Sequence, residues 1–317
     1  MKLTKELVPA EILQEIFDSP IPYRDAAEEK LTKDLFGTLS AEDVEMAAQG
    51  SYAYWVAKHS SNPPTEEQKI KMAMREARRH IYGVKYPDAV KNIKETCKYR
   101  RERNISLYRA CFADGAEFET EEEAQFVEKL KASITSEMKK QLAYVRGKDK
   151  ENRALLVVHP RTDKSTVDED FVANLIYIVE RAAAVTEFSS RGKEEKLIVV
   201  LDFGTFSSSL SPPMSAVKGI VGVLQSKYSE RLKNLVILDP PLWMRTLYGL
   251  IKPFLDPITK AKFIVATGAK KKHEVLASLI SDDQAMPFML PNGKLVGDVE
   301  IDRFLKTVPF HCPYDEV

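Results

Sequence analysis

YSERL (228–232), LVILDPP (235–241) and IKPFLDPITKAKF (251–263) follow one another in this 317-residue chain, and their reading decides the fold. Leu235–Leu238 is an aliphatic run without polar alternation, the pattern of a strand covered on both faces. Asp239, Pro240 and Pro241 end it, because proline brings no N–H to a ladder. Phe263–Ala266 is a second such run. The segment between them is long enough for a helical crossover, which two parallel strands require.

The same alternation extends upstream. Ala154–Val158 and Leu197–Leu201 are strand-sized apolar runs. Ser165 or Thr166 opens a helix with Phe171, Leu175, Ile178, Val179 and Ala182 on one face. Pro212 and Pro213 open another with Met214, Val217, Ile220, Val221 and Leu224. Strands that alternate with helices predict an α/β domain, a mostly parallel sheet flanked by helices. One helix departs from this pattern. LWMRTLYGLIKPFL (242–255) is apolar nearly all round, so it is either buried on every side or meets lipid, and the sequence leaves both open. Gly249 weakens its interior by about 1 kcal/mol relative to alanine, and Pro253 ends it, a combination that suits a movable flap.

The first half has a different period. Ser40-x-x-Asp43 resembles a helix entry, and Thr65-x-x-Gln68 and Thr120-x-x-Glu123 fit capping boxes. No strand-like run is read before the polar stretch Gly147–Asn152, the best linker candidate in the chain. The expected organisation is an all-helical N-terminal region, 1–147, and a second domain, 148–317.

The three quoted motifs, in this order and spacing, resemble the core of the CRAL-TRIO lipid-binding family, which includes the secretory-pathway phosphatidylinositol transfer proteins. Its members carry Tyr-Pro-Glu-Arg-Leu, a strand ending in Asn-Pro or Asn-Ala-Pro, and Lys-Pro-Phe-Leu-Asp-Pro-x-Thr. A looser resemblance covers Ala154–Asp202. In the helical half, Met74–Lys85 with Arg75, Arg78 and Arg79, then Tyr99, Arg100 and Arg101, take the corresponding place, whereas residues 1–60 have no counterpart.

The resemblance implies a pocket with the sheet as floor and helices as walls. Segment 242–255 is its gate, contributing Leu242, Trp243, Leu247, Leu250, Ile251 and Phe254. It also implies a headgroup site. Glu230 accepts hydrogen bonds from inositol hydroxyls, Thr259 and Lys262 meet the phosphate, and an arginine of the helical region, Arg78 or Arg79, stands with them. Members that take phosphatidylcholine have small hydroxyl residues in the second strand and a tyrosine in the first. Leu197, Val199 and Leu156 stand there in this chain, so phosphatidylcholine exchange is not expected. The implied function is transfer or presentation of one phospholipid, phosphatidylinositol first. The alternative is a regulator or scaffold that keeps the fold, transfers nothing and binds a different hydrophobic ligand.

Composition narrows the classes further. Forty-seven Lys and Arg balance 47 Asp and Glu, so no overall field draws nucleic acid, and none is expected as a partner. Cys97, Cys111 and Cys312 form no CxxC pair and suit a reducing compartment. Residues 1–10 lack the apolar core of a signal peptide, and no stretch approaches the roughly 20 apolar residues of a membrane span. A cytoplasmic monomer that touches membranes from outside is expected.

Several motifs mimic enzymes. Asp202-Phe203-Gly204 spells a kinase metal motif without the other kinase signatures and reads as a strand end and turn. Ser207, Ser208 and Ser209 lack a nucleophile elbow, and His273-Glu274 lacks the second histidine of a zinc helix. His59, His80, His159 and His311 are scattered. No catalytic residue, metal or cofactor is expected. Lys270, Lys271 and Lys272 precede a helix read over Glu274–Ile280. They are either a solvated run or a contact for anionic headgroups, at about 1 kcal/mol per lysine near a membrane.

Overall fold

The computed structural model of the chain describes residues 1–140, 142–159, 169–204, 227–251 and 257–295. Their contacts divide into two compact units. The first takes Met1–Ala132, Glu187–Glu195 and 227–231, and the second takes the described residues of 133–186, 196–204 and 232–295.

The first unit contains α1 (Ala10–Asp18), α2 (Ala26–Phe36), α3 (Ala41–Ala48), α4 (Tyr52–His59), α5 (Glu66–Ile81), α6 (Tyr86–Glu102), α7 (Ile105–Ala110) and the start of α8 (Glu121–Met138). The predicted caps form. Ser40 accepts from the Asp43 N–H at 3.1 Å, and Thr65 and Gln68 make a reciprocal capping box at 3.2 and 2.8 Å. At α8, Thr120 accepts from the Glu123 N–H, but the Glu123 carboxylate reaches the Glu119 N–H rather than that of Thr120. Phe17, Leu35, Met72 and Ile93 pack with Ala47, Ala48, Ala73 and Ala77, whose small side chains let α3 and α5 approach closely. This region is not wholly helical. β1 (Lys2–Leu3) and β2 (Ala116–Glu117) form a two-residue antiparallel pair.

The second unit is built on a five-stranded sheet of β3 (Ala143–Lys148), β4 (Ala154–Val158), β5 (Leu197–Asp202), β6 (Leu232–Leu238) and β7 (Phe263–Ala266), in that spatial order. β4 to β7 are parallel, with Leu156 beside Val199, Val199 beside Leu235 and Ile237 beside Val265. β3 joins antiparallel. Between the strands run α9 (Glu169–Ser189), α10 (Leu242–Ile251) and α11 (Pro257–Lys262), and α12 (Ala269–Leu279) follows β7. The Thr186 hydroxyl accepts from the Ala154 N–H at 2.9 Å, tying α9 to β4.

Two differences from the sequence reading have local causes. β3 lies in a stretch expected to lack strands, because Arg146 and Gly147 interrupt its apolar run, although Arg146 is buried. The stretch expected to be a linker is the end of β3 and a hairpin turn. Asp149 caps that turn, accepting from the Glu151 and Arg153 N–H groups at 2.9 and 2.7 Å. Gly147 has a φ of 76°, and a Cβ there would run into the Gln284 carbonyl, so only glycine fits. The helix entries read at Ser165, Thr166, Pro212 and Pro213 lie outside the described residues.

Candidate functional site

α10 starts where β6 has been stopped by Asp239, Pro240 and Pro241. The Pro241 carbonyl accepts from the Met244 and Arg245 N–H groups at 3.0 and 3.1 Å, closing the first turn. Aromatic contacts with described residues help to hold the helix. Trp243 meets Phe203 edge-on with ring centroids 6.1 Å apart, and Tyr248 stacks on Phe263 at 5.5 Å. Arg245 donates to the Pro240 carbonyl at 2.9 Å and to the Thr267 hydroxyl at 3.3 Å. Leu242, in contrast, is 79% exposed, and Thr246 and Gly249 are exposed as well. Burial on every side is therefore excluded for α10. Leu247, Leu250 and Ile251 belong to this helix, whereas Pro253 and Phe254 lie outside the described residues.

Thr259 and Lys262 share α11, and Lys262 is its half-buried last residue, directly before β7. Asp239 adopts a φ of 47°, a left-handed conformation that Asp and Asn tolerate better than other side chains. Its carboxylate accepts from the Gly268 N–H at 2.9 Å and pairs with Lys272 at 2.5 Å. Burial opposes ionisation of Asp239, but Lys272 and the Gly268 N–H outweigh it and hold the carboxyl below its ordinary range. The lysine run does not precede α12. It forms the first turn, which starts at Ala269.

Glu230 and the two predicted arginines lie in the first unit. Glu230 has a φ of 55° in the turn before β6, where the Arg231 N–H donates to the Tyr228 carbonyl at 3.2 Å. Arg231 itself donates to the carbonyls of Gly50 and Glu195 at 2.7 and 3.2 Å. Arg75, Arg78 and Arg79 share one face of α5, because residues three and four apart are neighbours on a helix. That face meets Glu195. Arg78 lies 2.5 Å from its carboxylate, Arg79 3.2 Å and Arg75 3.5 Å. Arg79 also pairs with Glu76, to which Arg100 donates at 3.0 Å. Burial alone would raise the Glu195 pKa, but Arg79, Arg78, Arg75 and Arg231 outweigh it and bring it to about 2. Glu76 is likewise held well below its ordinary value by Arg100 and Arg79 against burial.

A buried chain of polar side chains in the second unit escaped the sequence reading. Val158 and Leu201 are partners in the parallel register, so His159 and Asp202 come next to each other one step further on. The His159 Nδ1 is 3.4 Å from Asp202, and its Nε2 is 2.7 Å from the Tyr144 hydroxyl. Asp202 also accepts from the Gly204 N–H at 2.9 Å, as expected for a strand end and turn. Both imidazole nitrogens are engaged, so the trio braces β3, β4 and β5. Its only signal in the sequence is that His159 and Asp202 each directly follow an aliphatic run. Among the described residues, no three His, Cys, Asp or Glu side chains are grouped to hold a metal, and no helix is long and apolar enough to cross a membrane.

Residues 138–288 match the family described as the CRAL/TRIO domain, a span that contains β3 to β7, α10 and α11. Those residues are similar to the CRAL/TRIO domain family. Over 141 residues it is 30% identical to the phosphatidylinositol transfer protein PDR17 of Saccharomyces cerevisiae, covering 42% of this chain and 38% of that protein. Over 146 residues it is 27% identical to the SEC14 cytosolic factor of Candida glabrata, covering 44% of this chain and 46% of that protein. The matched stretch thus spans less than half the length of these curated relatives. A crystal structure of Sfh5 resembles the fold, with a TM-score of 0.53 and 19% identity over 81% of this chain and 84% of the other. Glu230, Thr259 and Lys262 fall within the CRAL/TRIO domain match, and Arg78 and Arg79 fall before it.

Proposed function

We propose that this chain is a carrier that encloses one phospholipid, phosphatidylinositol first, and exchanges it at membrane surfaces without covalent chemistry. The observation that carries the reading is α10, a nearly all-apolar helix inside the stretch similar to the CRAL/TRIO domain that leaves its first leucine in water. Such a helix is stable in solution yet ready to meet acyl chains. Each buried methylene is worth about 0.8 kcal/mol, so an enclosing apolar interior can compete with a bilayer where water cannot. The similarity to a protein named for phosphatidylinositol transfer supports the choice of lipid.

Lys262 and Thr259 are the proposed phosphate contacts, and Glu230 the acceptor for inositol hydroxyls. Of the two arginines, Arg78 has the more exposed side chain, 15% against 4% for Arg79, and is the one proposed to reach the headgroup. The test is transfer of labelled phosphatidylinositol between vesicles. Lys262→Ala and Glu230→Ala are each expected to keep the wild-type circular dichroism spectrum and to transfer about tenfold more slowly or worse, since a hydrogen bond to a charged group contributes about 1.5–3 kcal/mol. Wild-type rates in both variants would remove the headgroup assignment. A wild-type protein that transfers no lipid would point to the regulator or scaffold instead.

A further inference from the structure

We infer that Leu242 at the start of α10 and Lys270 and Lys271 in the first turn of α12 form a landing surface for a bilayer that contains anionic lipid. The inference rests on the carrier reading and adds where such a protein meets its membrane. Leu242 is the most exposed of the large apolar side chains among the described residues. A single exposed leucine is ordinary. Its surroundings are not. Asp239, three residues before Leu242, binds both the Gly268 N–H and Lys272, and Arg245, three residues after it, reaches Thr267. These bonds fix the start of α10 against the start of α12.

α12 begins with three consecutive lysines. Cations in a first turn face the positive end of the helix dipole, a placement that disfavours the helix and that nearby anions relieve. Lys272 is neutralised by Asp239. Lys271 has a 3.4 Å contact with Glu274 in which both side chains are about half exposed, so water and salt screen it. Lys270 is exposed and makes no ion pair with a described residue. Arg245, Lys270, Lys271 and Lys272 face Asp239 and Glu274 on these elements and Asp202 at the end of β5, so the four cations still outnumber the carboxylates by one beside an exposed leucine. Lipid phosphates complement the charge, and the acyl region beneath them complements the leucine.

The test is sedimentation of the full chain with vesicles of phosphatidylcholine alone or mixed with phosphatidylserine. The wild type should prefer the mixed vesicles, and added salt should narrow the preference. Lys270→Ala with Lys271→Ala should weaken binding to the mixed vesicles about fivefold per lysine, leaving binding to phosphatidylcholine and the co-purified lipid unchanged. Leu242→Ser should weaken binding to both kinds of vesicle. Undiminished binding of the lysine variant to mixed vesicles, or a wild type with no preference between the two, would overturn the landing surface. Absence of co-purified phospholipid would count against the carrier reading separately, because vesicle binding is scored without reference to cargo.

Discussion

The Asp239 carboxylate lies 2.5 Å from the Lys272 ammonium, an ion pair that joins the end of β6 to the first turn of α12. The same carboxylate holds the Gly268 N–H, and its own backbone is left-handed. Asp239→Asn keeps the amide acceptor and tolerates the conformation, so it should cost less than about 1 kcal/mol. Asp239→Ala adds left-handed strain to the lost bonds and should cost about 2–3 kcal/mol. Urea denaturation of the two variants measures the difference.

Glu195 is the carboxylate on which Arg75, Arg78 and Arg79 converge. Removing its charge leaves buried guanidinium groups uncompensated, so Glu195→Gln should destabilise the protein by about 3–5 kcal/mol. Chemical denaturation near neutral pH checks this.

The pH dependence of stability follows from the same network and from two histidines. Burial lowers the pKa of His59 to about 4 and also lowers that of His80, despite Glu76 beside it. An unfolded histidine takes up a proton near its ordinary 6.5, which these folded ones refuse, so stability should fall as pH drops below that value. Glu195 adds a second loss. Its contribution is complete above its ordinary value near 4.5 and disappears as pH falls towards about 2. Unfolding free energy should therefore decline in two stages, and Glu195→Gln should shrink the lower one, to which Glu76 and Asp239 also contribute, and leave the upper one unchanged. A curve flat from pH 7 to 5 would contradict the histidine assignment.

Gly249 lies exposed in α10, and a Cβ built on it meets nothing within 4 Å. Gly249→Ala should stabilise the helix by about 1 kcal/mol. If α10 opens for exchange, this variant should show stronger hydrogen-exchange protection over 242–251 and slower lipid transfer. Faster or unchanged transfer with increased protection would separate helix stability from the gate.

The sequence made the strands legible where burial on both faces left runs of Val, Ile and Leu, as in 154–158 and 263–266, which the structure reproduces. β6 starts three residues earlier than read because Lys233 and Asn234 break its aliphatic pattern. β3 was hidden by a buried arginine and a glycine, which local propensity treats as turn or helix residues. The helix caps were legible because their donors and acceptors are three residues apart. The arginine cluster around Glu195 and the Tyr144–His159–Asp202 trio were not, since each is assembled from distant segments and depends on register. Lys270–Lys272 form the first turn of α12 although cations there oppose the dipole, because the Asp239 bonds to Gly268 and Lys272 hold that turn.

The most direct measurement is mass spectrometry of the lipid extracted from the purified chain and from Lys262→Ala. The carrier account predicts about one phospholipid per protein in the wild type, predominantly phosphatidylinositol, and a marked depletion of that species in the variant. A folded wild-type protein that contains no lipid, and takes none up from phosphatidylinositol vesicles, would contradict it.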